Sequence, residues 1–130
     1  LVFKLNRVNY ILMKIDLEKF VEVYVHESFE VLKTRPSLNS FDERVRHLVS
    51  KKMNLSEKFI GHMHHAFHWE FFCENNPLSE YVQAHKNGEN NFVRLKTPYK
   101  NKDILNLKNL ILGKYGEYLR AMISSYRGKT

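Results

Sequence analysis

Four histidines lie within seven residues, at His62, His64, His65 and His68, and the aromatics Trp69, Phe71 and Phe72 follow at once. Imidazole ligates metals, relays protons and hydrogen-bonds inside cores. On a helix, His64 and His68 stand one turn apart, so both rings can reach one ion. They are the candidate metal ligands of the chain. A third ligand must then come from another element, where His26, His47 and His85 are the remaining histidines. The stretch is not His-Glu-x-x-His, so the zinc-protease pattern is absent. Partly buried histidines beside aromatics explain the same composition more simply, and neither metal nor cofactor is expected.

Glu70 and Glu74 follow on the same predicted helix, near its inward face. Buried carboxylates are costly unless paired. An ion-pair or boundary role therefore outweighs a paired-carboxylate acid–base site. Cys73, the single cysteine, falls on an apolar face and reads as an inert thiol. No catalytic residue is assigned, and the expectation leans away from an enzyme.

Two surfaces suggest binding. The first is basic. Arg94, Lys96, Lys100 and Lys102 interleave with Phe92 and Tyr99, and Arg120 and Arg127 follow on the last helix. Cations attract phosphates through counterion release, and aromatic rings stack on unpaired bases. The competing reading is a solvated loop whose aromatics anchor it to the core. The second surface is aromatic. His62, His65, Trp69 and Phe72 share one strip of the predicted helix, and interface hot spots favour such residues. The expected partners are thus nucleic acid or an acidic protein surface, with a larger protein complex as the second possibility.

The elements that must hold these residues read as helices. Asp16 caps a first helix to about Thr34, with Leu17, Phe20, Val21, Tyr24, Val25, Ser28, Val31 and Leu32 on one face. Ser40-Phe41-Asp42-Glu43 has capping-box spacing and predicts a second helix, with Phe41, Val45, Leu48 and Val49 inward. Ser56 caps a third, reaching about Glu74 before Asn75-Asn76-Pro77. The second and third helices have the order of a helix-turn-helix, as any two helices on a short connection do. A short helix is predicted over Leu78 to His85, a turn-rich loop over 86–91, and a brief strand over Phe92 to Lys96. The last helix runs from Asp103 to about Tyr126. Its stripe is Ile104, Leu107, Ile111, Leu112, Tyr115, Tyr118, Leu119, Met122 and Ile123.

Composition bounds the rest. The chain has 130 residues, enough for one domain with its own core. Three prolines and five glycines leave few forced breaks. The fold class is all-α: a compact bundle of four to five helices with a basic loop around 86–102. Residues 1–12 read either as a leader or extension, or as a strand or short helix covering the core. The net charge is +7. Residues 16–30 hold five acids against one lysine, whereas residues 86–130 hold ten bases against three acids. Such a balance fits an anionic partner. No apolar run approaches the ~18 residues of a membrane span. A cytoplasmic location is expected. Richness in Asn, Lys, Phe, Tyr and Ile suits an AT-rich genome and a phage or mobile-element accessory protein, either nucleic-acid-associated or a regulator or inhibitor of a protein complex.

Overall fold

A computed structural model describes residues 15–67, 82–87, 90–95 and 98–126. Four helices and one hairpin follow in order: α1 (Leu17–Leu32), α2 (Leu38–Met53), α3 (Glu57–His64), β1 (Val82–Asn87), β2 (Asn90–Leu95) and α4 (Asn101–Tyr126). The fold is all-α, with the core built by the helices. The hairpin is antiparallel, pairing Val82 with Leu95 and Asn87 with Asn90.

α1 forms where its stripe predicts. Asp16 accepts the Lys19 amide at 3.1 Å, satisfying one of the donors a helix start leaves over. Every residue of the expected inward face is buried. So are Glu27 and Phe29, which lie off that stripe. Ten of the sixteen residues of α1 are buried, too many for a helix with one wet side. The reason is placement: α1 packs on α2 and α4, and β2 lies against both α1 and α2.

α2 begins earlier than the capping box predicts. Its cap is Ser37, whose hydroxyl accepts the Ser40 amide at 3.3 Å. Ser37 follows Pro36 directly, so the helix starts at the first residue able to cap it, and Ser40 falls inside. The helix ends at Asn54, which adopts a left-handed φ of 55° and donates its amide to the Ser50 carbonyl. Asparagine tolerates that conformation. The Ser50 hydroxyl donates to the Leu55 carbonyl at 2.5 Å and tightens the turn. Ser56 then caps α3 through the Phe59 amide, as predicted.

α3 is shorter than its composition suggests. It ends at His64, and residues 65–67 are turns closed by three-residue bonds from the Ala66 amide to the Met63 carbonyl at 3.4 Å and from the Phe67 amide to the His64 carbonyl at 3.0 Å. Packing imposes the stop. His64 is buried against Tyr24, and the Phe67 ring meets Tyr24 at 5.2 Å and Tyr115 at 6.5 Å. Residues 68–74 lie outside the described residues. Gly61 lets α2 and α3 approach: a Cβ there would stand 3.3 Å from the Arg46 Cδ. The helix predicted over 78–85 is corrected too, since Val82–His85 are strand. Cross-strand bonds to Phe92–Leu95 override the local pattern. Lys86, Asn87, Asn90 and Asn91 of the predicted loop are likewise strand.

α4 starts two residues before Asp103, whose carboxylate reaches back to the Lys100 amide at 2.7 Å. Ile104, Leu107, Ile111 and Leu119 are fully or nearly buried, and Leu112, Tyr115, Met122 and Ile123 pack against them. Tyr118 departs from the predicted stripe and is 59% exposed. Successive buried positions advance by slightly more than one 3.6-residue turn, so the apolar seam rotates away from Tyr118 along the helix.

Candidate functional site

A cleft of about 420 Å³ opens where three helices meet. Glu22, Val23 and His26 line it from α1, Lys52 from the end of α2, and Asn101, Ile104 and Leu105 from the start of α4. Small-ligand pockets span roughly 300–1,000 Å³ and combine apolar walls with a few polar groups. This one has both.

The polar groups are held from below. Glu27 is only 5% exposed, and its carboxylate pairs with the Lys52 ammonium and stands 3.3 Å from His26 Nδ1. A carboxylate that accepts from Nδ1–H fixes the ring and leaves Nε2 as an acceptor. Glu22 is balanced in turn by Lys108, at 3.8 Å. The interior of the cleft is therefore close to neutral, with each carboxylate compensated by a lysine. Its rim is not. Lys51 and Lys102 stand one residue from lining residues, Lys100 precedes Asn101, and all three are exposed. Among the described residues, none of the three has a carboxylate within ion-pair distance.

No described residue of the predicted basic strip lines the cleft, although Lys100 and Lys102 flank its lining residue Asn101 in sequence. Arg120 is exposed but stands about 27 Å along α4 from Lys102 at ~1.5 Å per residue. Arg94 is in β2, while Lys96 and Arg127 lie outside the described residues. Tyr99 is a structural anchor. Its hydroxyl donates to Glu30, its ring packs 4.9 Å from Phe29, and Lys33 lies 4.9 Å over its face. Burial, then the Glu30 bond, pushes its phenol above the usual range. Lys33 also pairs with Glu30 at 2.5 Å, and these contacts hold that carboxyl below its usual range.

The histidine segment resolves differently. His64, a candidate metal ligand, is 4% exposed, and its Nδ1 sits 2.6 Å from the Tyr24 hydroxyl. Its Nε2 lies 3.2 Å from Asp42 Oδ1, close but off the line of a hydrogen bond. The Tyr24 hydroxyl and His64 Nδ1 share one hydrogen bond, whose direction follows the imidazole tautomer. Arg46 also meets Asp42, at 3.5 Å. Burial raises the Asp42 carboxyl above its ordinary value, with Arg46 opposing. The Tyr24–His64 pair ties α1 to α3 inside the core. His68 lies outside the described residues, and among those described no group of three metal-ligating side chains occurs. His62 and His65 are exposed, while Trp69 and Phe72 lie outside the described residues. No described helix is long and apolar enough to cross a membrane.

Sequence reasoning missed Glu27, Lys52 and the cleft role of His26. Glu27 carries one weak local signal, a carboxylate with Val23, Tyr24 and Val31 one turn away on the same helix. Comparison of the chain with protein-family models, curated proteins and solved structures gives no match.

Proposed function

We propose that the protein is a small non-enzymatic binding domain that associates with nucleic acid, holding a phosphate backbone along the rim of the cleft. The observation that carries this reading is a cleft lined by Lys52 and Asn101, each flanked in sequence by exposed lysines: Lys51, and Lys100 and Lys102. Lysines without carboxylate partners attract phosphates by releasing condensed counterions.

The test is fluorescence anisotropy with a labelled single-stranded oligonucleotide over a range of salt. Binding should weaken with salt, by a log–log slope of about 0.7 for each phosphate neutralised on a single strand. Replacing Lys51, Lys100 and Lys102 together by Ala should reduce that slope by roughly 2. Absence of binding at low salt, or an unchanged slope in the triple variant, refutes the proposal. The alternative is a protein-binding regulator or inhibitor. It is favoured by His62 and His65, which are exposed on and just after the last turn of α3. Capture of a protein partner that is lost in His62→Ala/His65→Ala would support it.

A further inference from the structure

The cleft interior differs from its rim in a way that bears on what enters it. Two carboxylates, Glu22 at the wall and Glu27 beneath, are matched by Lys108 and Lys52. A phosphate gains little from a compensated interior and meets Glu22 there as a repelling charge. A neutral, flat group with hydrogen-bond donors on its edge gains more. Val23, Ile104 and Leu105 supply apolar walls for its faces. The His26 ring, oriented by Glu27, supplies a π surface, and aromatic side chains including histidine stack on unpaired bases. Glu22 supplies an acceptor, the partner a base amino group requires. Asn101 supplies both a donor and an acceptor.

We infer that the cleft receives one unpaired, amino-bearing nucleobase, its edge at Glu22 and Asn101 and its flanking phosphates on the rim lysines. This rests on the nucleic-acid reading above and narrows it to single strands and to adenine, cytosine or guanine over thymine or uracil. A duplex base cannot enter, because its edge is paired and its faces are stacked.

The experiment compares three ligands of equal length, about ten nucleotides, within the ~4–16 covered by small single-strand binding folds. One is oligo-dC, one is oligo-dT, and one is an abasic sugar–phosphate chain. Stacking of one base predicts at least ~5-fold tighter binding of oligo-dC than of the abasic chain. Oligo-dT should fall between them. Asn101→Ala/Leu105→Ala should remove the base-dependent gain and leave binding of the abasic chain unchanged. Both positions are exposed, so helical circular dichroism should stay native. Glu22→Gln should erase the preference of dC over dT. Equal affinity for oligo-dC and the abasic chain overturns the base site while leaving phosphate binding standing. Failure of all three ligands to bind at low salt overturns both.

Discussion

Replacing Tyr24 by Phe removes one oxygen from the middle of the core and leaves the ring packing in place. The Tyr24 side chain is fully buried, His64 is 4% exposed, and their bond measures 2.6 Å. Water does not reach the vacated imidazole nitrogen, so the variant loses a hydrogen bond and leaves a buried polar atom facing a hydrocarbon edge. Such a loss costs about 1–3 kcal/mol. For a domain of this size that is a fall of roughly 3–10 °C in melting temperature. His64→Leu produces the converse defect at the tyrosine hydroxyl and also removes the imidazole beside Asp42. The double variant removes both polar ends of the bond, so its loss should be smaller than the sum of the single losses by about 1 kcal/mol or more. Urea unfolding followed by circular dichroism measures all four corners of the cycle. A Tyr24→Phe cost indistinguishable from zero, or strict additivity, would refute the assignment of this pair as a coupled element of the core.

Two further outcomes follow from the same packing. The Glu30 carboxyl is lowered, so its contribution is full above its ordinary value of 4.5 and is lost as pH falls through the folded value. The Tyr99 phenol is raised, so its contribution is full below 10.0 and is lost as pH rises beyond it. Tyr99→Phe should therefore flatten the pH dependence of the urea midpoint at both ends, and a curve parallel to wild type would contradict this. Gly113 lies inside α4 with no atom within 4 Å of where a Cβ would stand. Gly113→Ala should raise stability by about 0.5–1 kcal/mol through helix propensity alone, read as a higher melting temperature.

The helices were legible wherever the signal was local. The Asp16 and Ser56 caps each act through an amide three residues away, and the α1 and α4 stripes repeat at the helical period. Local reasoning failed where a distant group decided the outcome. Nothing between Ser56 and Glu74 forbids a continuous helix, and α3 stops because His64 and Phe67 are claimed by Tyr24. Val82–His85 is strand because residues 92–95 lie alongside it. The capping-box spacing pointed to Ser40, but Ser37, three residues earlier and beside Pro36, is the cap of α2. The cleft was hidden for the same reason as the end of α3. Lys52 and Asn101 are far apart in the chain, and only the packing of α2 and α4 on α1 brings them to one opening.

The central position of α1 also sets where this chain can change. The apolar side of α1 is enclosed by α2, α4 and β2, and a substitution at Phe20, Tyr24 or Phe29 meets neighbours from several elements at once. The outer face of α4 is the opposite case. Asn106, Asn109, Gly113 and Glu117 are exposed along nearly three turns of that helix. Tolerance to replacement is thus divided between two helices that touch: one is a keel and the other a rail. A fluorophore, an affinity tag or a surface tether belongs on the rail, where it leaves the core and the cleft untouched.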